Sequence, residues 1–277
     1  MAGAALVLLM TTGPARAQLA SGPVVYGHHH LTVSSVDAHV HFWVDALGGT
    51  KGALGAGTAV RLPHVLVLLR QGTPAGGTKG TSVNHIGFAV PDLKAAIARV
   101  KAAGFTFVTR AETPATLTVA DDMAYVPDQK TSIAYVMGPD DVKVELVEVK
   151  GQTTPITLHH IHFYGAKPEE MRAWYAKTFG ATAGTRGSFL AADLPGVNLT
   201  FSPTSDAVAP TKGRVLDHVG YEVKDLEAFC ARLTAAGVTF DRPYSKNAAL
   251  GIGLAFFTDP FGTYIELTEG LDAAVKR

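Results

Sequence analysis

A single cysteine, Cys230, occurs in the 277 residues. It excludes an intrachain disulfide and cannot supply a zinc–thiolate cluster. Cys230 falls in a predicted helix, where a buried inert thiol is the expectation. Net charge is missing too: Lys plus Arg and Asp plus Glu number 24 each. No basic excess is there to attract nucleic acid, and no polybasic stretch to anchor the chain on a membrane. The remaining composition is that of a globular protein. Hydrophobic residues make up 47% and charged residues 17%, which argues against global disorder and suits one large or two medium domains.

The N-terminus carries an apolar run, Ala4 to Met10, that is too short to span a bilayer. Thr11 to Pro14 break it, and Ala15-Arg16-Ala17 is an A-x-A cleavage pattern. The expectation is an export signal over 1–17, a leader over 18–26, and a periplasmic or secreted protein of 260 residues. The basic segment that commonly precedes such a run is missing.

Leu254 to Gly270 is the most informative stretch. Leu254 to Phe257 reads as an apolar strand, Asp259-Pro260-Phe261-Gly262 as a turn, and Tyr264 to Thr268 as the returning strand. Alternation puts Tyr264, Glu266 and Thr268 on one face and Ile265 and Leu267 on the other. A mid-strand carboxylate needs a partner or a metal, because burying it alone is costly. Upstream, Asp217 to Val223 is another strand, with His218 on one face and Tyr221 on the other. A strand His followed by a strand Glu is the beginning of a metal site.

The chain repeats itself. His160 lies 132 residues after His28, and Trp174-Tyr175 lies 132 after Phe42-Trp43. His218, Asp225-Leu226 and Ala235-Ala236-Gly237 each lie 133 after His85, Asp92-Leu93 and Ala102-Ala103-Gly104. Glu266 follows Glu145 by 121, so the second copy has a shorter insert before its last hairpin. Each half again contains twice a His-bearing strand, a helix ending in Gly, and further strands. Gly151 to Pro155 reads as the linker between a domain over 27–150 and one over 151–277.

Four βαβββ modules, with His in first strands and Glu in last strands, resemble the vicinal oxygen chelate (VOC) superfamily. Its members include glyoxalases, bleomycin and fosfomycin resistance proteins and extradiol dioxygenases. Asp217 to Val223 and Asp259 to Leu267 carry the resemblance most specifically. It implies an α+β fold in which tandem modules form two barrel-like cups, each with a metal site inside.

In the C-terminal half the resemblance implies His160, His218 and Glu266 as ligands. Two imidazoles and one carboxylate leave up to three positions open on an octahedral Fe, Mn, Ni, Co or Zn ion. The same register gives His28, His85 and Glu145 as a second candidate metal site, although His29 and His30 adjoin His28. Glu266 and Tyr264 are the catalytic candidates; Tyr264 either donates a hydrogen bond to substrate or lines the pocket. His162 shares the strand face of His160 and is a candidate supporting residue, whereas His39, His41, His64 and His159 read as surface or supporting residues. Tyr221 is expected in a core, and Phe256 and Phe257 as pocket wall and core.

Two departures from the family pattern stand out. The region before the Asp-Pro-x-Gly turn has Phe256 where extradiol dioxygenases place Tyr, and no His. No carboxylate occurs in Val65 to Leu68 or Val197 to Thr200, where glyoxalase I supplies a ligand, though Asn198 is an amide. The expected protein is a metal-dependent enzyme, monomeric or homodimeric, acting on a small molecule with adjacent oxygens. A metal-free small-molecule binder of the bleomycin-resistance kind is the alternative.

Overall fold

The structure is a computed structural model that describes residues 23–276. The expected export signal over 1–17, and the leader as far as residue 22, lie outside the described residues.

The first module comprises β1 (Val24–Val33), α1 (Val36–Val40), a π-helical turn (His41–Ala46), β2 (Thr50–Leu54), β3 (Gly57–Leu62) and β4 (Val65–Gln71). The second comprises β5 (Val83–Val90), α2 (Leu93–Ala102), α3 (Thr109–Glu112), β6 (Val119–Ala120), β7 (Met123–Val126), β8 (Thr131–Met137) and β9 (Lys143–Glu148). The third is β10 (Thr157–Gly165), α4 (Pro168–Phe179), β11 (Thr182–Arg186), β12 (Phe189–Leu194) and β13 (Val197–Pro203). The fourth is β14 (Leu216–Val223), α5 (Leu226–Ala235), β15 (Arg242–Asn247), β16 (Ile252–Thr258), β17 (Tyr264–Glu269) and the short α6 (Leu271–Ala274). β1 begins at Val24, inside the expected leader, because Val24 and Val25 already pair with Val223 and Glu222.

Local chemistry sets the ends of the helices. Asp92 caps α2 by accepting from Ala95 N, and α4 starts on Pro168 and stops at Gly180, whose φ of 76° is left-handed. The twelve extra residues between Gly104 and β8 build α3 and β6. Leu117, Val119 and Val108 from this insert pack on Ile133, Tyr135 and Val147. In the fourth module the chain end does similar work: Leu271 and Val275 pack against Leu66, Leu68, Ile252 and Leu254. That end is held by the Arg61–Asp272 ion pair and a reciprocal pair of backbone bonds between Ala53 and Lys276.

The sheets do not follow the halves. One has the order β15-β16-β17-β14-β1-β4-β3-β2, and the other β11-β12-β13-β10-β5-β9-β8-β7-β6. Modules one and four therefore form one cup, and modules two and three the other. The expectation of one cup per half, 27–150 and 151–277, is corrected: each cup takes one module from each half. The physical reason lies at the first strands. β1 pairs antiparallel with β14 and β10 with β5, so the edge that each module would expose is satisfied by a module from the other half. The outward faces of both sheets and the helices share one apolar core, with Trp43, Phe88, Phe163, Tyr175, Tyr221 and Phe257 fully buried in it.

Candidate metal centres

Strand alternation aims the polar residues of the central strands into the cups. In the 8-stranded sheet, β1 and β14 run side by side with His28 opposite Gly220 and His30 opposite His218, and Glu266 on β17 lies beside Gly220. Glu266 Oε2 is 2.9 Å from His28 Nε2 and 3.0 Å from His218 Nε2. In the 9-stranded sheet, β10 and β5 place His160 opposite Gly87 and His162 opposite His85, with Glu145 on β9 beside Gly87. Glu145 Oε2 is 2.9 Å from His85 Nε2 and 3.0 Å from His160 Nε2. The two clusters are copies of one design.

Both glycines are needed for that geometry. A Cβ at Gly220 would sit 2.0 Å from His28 Cε1, and one at Gly87 would sit 2.0 Å from His160 Cε1. Each imidazole occupies the space a side chain would take. Behind these clusters, Asp217 Oδ1 accepts from His218 Nδ1 at 2.6 Å, and Asn84 Oδ1 accepts from His85 Nδ1 at 3.0 Å. His162 Nε2 bonds Ser202 Oγ at 2.8 Å.

These bonds fix the tautomers. A carboxylate only accepts, so Nδ1 of His218 carries the hydrogen and its Nε2 faces Glu266. Burial pushes His85, His160 and His162 below the ordinary histidine range, so they are neutral. His85 Nε2 then meets His160 Nε2 at 3.3 Å, His162 Nδ1 at 3.2 Å and a carboxylate oxygen, a crowd of lone pairs with too few hydrogens. Glu145 and Glu266 resist the upward push of burial because their histidine neighbours hold them well below the usual carboxylate range. The donor atoms of His28, His30, His218 and Glu266, and separately of His85, Glu145, His160 and His162, all lie within 4.8 Å of one another. Bonds of ~2.1 Å to one ion put neighbouring donors ~3 Å and opposite donors ~4 Å apart, so each set fits a divalent metal.

The profile of the Glyoxalase/Bleomycin resistance protein/Dioxygenase superfamily matches residues 25–146 and again 157–267. The chain belongs to this superfamily. Its fold is similar to that of glyoxalase I from Zea mays, with 16% identity, 90% of this chain and 94% of that one covered, and a TM-score of 0.65. A glutamate-to-glutamine mutant of the same maize enzyme gives a TM-score of 0.69 at 16% identity, covering 91% and 95% of the two chains. A Bacillus subtilis protein gives 0.62 at 12% identity, covering 88% and 84%. No curated protein sequence matches the chain.

For this VOC protein the expected triads are corrected. His160 does not join His218 and Glu266, and His28 does not join His85 and Glu145. The candidate ligands exchange between halves: His28 completes the pair His218–Glu266, and His160 completes His85–Glu145. Register assigned each residue its place in a module, but cross-half pairing of first strands decides which modules meet. His30 and His162 enter the clusters as fourth donors. Its place on the strand face of His160, two residues on, is the sequence signal for His162, and His30 stands in the same relation to His28.

The other expected residues are placed as follows. Tyr264 lines its cup, with its ring 5.6 Å from that of His218, stacked on Phe256 and capped by Lys212 Nζ at 4.1 Å. Tyr221 lies in the core against Phe179, and Phe257 is fully buried, whereas Phe256 faces His218. His39 is buried and bonds Asp140, and His41 is exposed, bonding Asp45 and Ala103 O. His64 sits in a tight turn with φ of 71°, outside both clusters. His159 abuts His160, with Nδ1 atoms 2.8 Å apart. Asn198 is not in either set; its amide bonds Asp193.

Proposed function

We propose that this protein is a metal-dependent enzyme of the VOC superfamily acting on a small molecule that presents adjacent oxygens. His28, His30, His218 and Glu266 hold one divalent ion, and His85, His160, His162 and Glu145 hold another. The observation that carries the reading is the convergence in each cup of three imidazole nitrogens and one carboxylate oxygen, all within 4.8 Å of one another. Ring nitrogens and a buried carboxylate aimed at one point are best satisfied when a cation lies between them. Once bound, the ion supplies Lewis acidity toward the substrate's oxygens. Asp217 and Asn84 keep the ring tautomers that leave Nε2 free to ligate. Glu266 serves as ligand and proton carrier, and Tyr264 offers its hydroxyl to a ligand in the same cup. Export through the segment 1–17 belongs to this proposal, and a native N-terminus at Gln18 by mass spectrometry tests it.

Elemental analysis tests the metal assignment. The purified chain should carry two divalent ions, and Glu145→Gln and Glu266→Gln should each lose about one, with affinity down roughly 10- to 100-fold at the altered centre. Protein that takes up neither Mn(II), Co(II) nor Zn(II) would belong instead with the metal-free small-molecule binders.

A further inference from the structure

We infer that the cup of modules two and three binds a ligand of its own, a small 2-hydroxy or 2-oxo carboxylate, and that Arg186 selects its negative charge. The inference rests on the metal assignment above and extends it to the ligand.

The internal repeat supplies the comparison. Arg186 ends β11 at the position where Leu54 ends β2, 132 residues earlier. By the same offset Tyr164 corresponds to Thr32, and by the offset of 121 Tyr135 corresponds to Phe256. The metal-binding residues match between cups, while the residues around them do not. One cup presents arginine and two tyrosines where the other has leucine, threonine and phenylalanine.

Arg186 lies beside the cluster. Its Nε donates to Thr200 Oγ1 at 3.0 Å, and Thr200 is the cross-strand neighbour of His162. Nη1 donates to Gln129 Oε1 at 2.8 Å. The guanidinium covers the Phe189 ring, which packs 5.2 Å from His162, and Tyr164 packs 4.9 Å from His162. These bonds fix the head group in place. Among the described residues no carboxylate lies within ion-pair distance of Arg186. Asp128, the acid of the adjoining loop, is occupied by Ser188 N and Oγ. The nearest favourable charge is that of Glu145, which acts on Arg186 through space; once a divalent ion takes up that carboxylate, the planar guanidinium fork is left to match a ligand carboxylate.

The cations of the other cup are engaged or exposed: Arg70 reaches Thr32 Oγ1 at 2.8 Å and the Asp217 carboxylate at 3.4 Å, Lys212 reaches Asp241 at 3.4 Å, and the exposed Arg242 lies over the Phe256 ring. With a divalent ion present, Arg186 and Glu145 cancel, leaving the ion's two positive charges to meet a ligand. A bare glycol or catechol does not need Arg186. A carboxylate next to a hydroxyl or carbonyl uses both the ion and the guanidinium.

The test uses the full chain loaded with Co(II), whose visible spectrum reports on the centres. Lactate is the anionic probe, and acetoin is its neutral near-isostere with the same adjacent oxygens. Lactate should bind at one site per chain, at least about tenfold more tightly than acetoin, as a charge-assisted bond implies. Arg186→Gln should weaken lactate about tenfold or more and leave acetoin within about twofold, and Arg186→Lys should restore part of the loss. Near-ultraviolet circular dichroism checks that both variants keep the fold. His218→Ala, which disables the other cup, should leave the lactate response intact. Equal affinity for the two probes, an unchanged Arg186→Gln, or a lactate response lost with His218→Ala would overturn the inference while the metal reading stands. Failure to take up Co(II), seen before any probe is added, would overturn both.

Discussion

At the residue scale, two glycines matter as much as the ligands. Gly87 and Gly220 have ordinary backbone conformations, so their role is space rather than torsional freedom. Gly87→Ala should therefore eject the His160 ring, drop the bound metal from two ions to one, and cost about 1–3 kcal/mol through overpacking. Metal analysis with a denaturant titration checks this; full metal content at wild-type stability would refute it. The exchange of Asp217 for Asn84 is a second such detail. Asp217 holds His218 above the ordinary histidine range against the downward push of burial, whereas burial prevails at His85. The strings Asp-His-Val-Gly and Asn-His-Ile-Gly show both pairs in sequence. Only the cross-strand contact shows what the glycine and the preceding polar residue do.

Among the elements, the insert that builds α3 has its own anchor. Glu112 is nearly buried and takes ion pairs from Lys79 at 2.7 Å and from the buried Lys143 at 2.9 Å. Burial raises the Glu112 carboxyl, but the two lysines outweigh it and hold it below the usual range. A depressed carboxylate contributes stability above its unfolded value and loses that contribution as pH falls through the folded one. Glu112→Gln should thus cost about 2–3 kcal/mol near neutral pH by leaving Lys143 unpaired, and the gap to wild type should close as acid titrates the wild-type carboxyl. Urea unfolding across the acid range measures it, and a gap that persists unchanged would discount the ion pair. The difference of twelve residues between copies was plain from the offsets of 133 and 121. That the extra segment folds over a cup was not, because its contacts with Ile133, Tyr135 and Val147 are set by tertiary packing.

For the whole molecule, the exchange of modules has a direct consequence. Residues 23–151 alone lack β14 for β1 and β10 for β5, which leaves two central strands with open edges. Each half expressed alone should be unfolded or should pair with a second copy of itself. Mixed halves should recover the native circular dichroism and a one-to-one complex on size-exclusion chromatography. A well-ordered monomeric half would contradict the cross-half sheets.

The sequence by itself determined the module: a His-bearing first strand, a helix closed by glycine and further strands, written four times, with an inward glutamate on the last hairpin of the second and fourth copies. Alternation and turn chemistry are local, so Tyr221 in the core and Phe256 on the cup wall were legible without coordinates. The repeat likewise made His85 equivalent to His218 and Glu145 to Glu266. Tertiary structure alone decided which modules share a sheet. Any first strand has the same unsatisfied backbone edge and the same apolar outer face, so nothing local to β1 distinguishes β5 from β14 as its partner. That choice rests on the docking of all four modules around one core, and it moved His28 to Glu266 and His160 to Glu145.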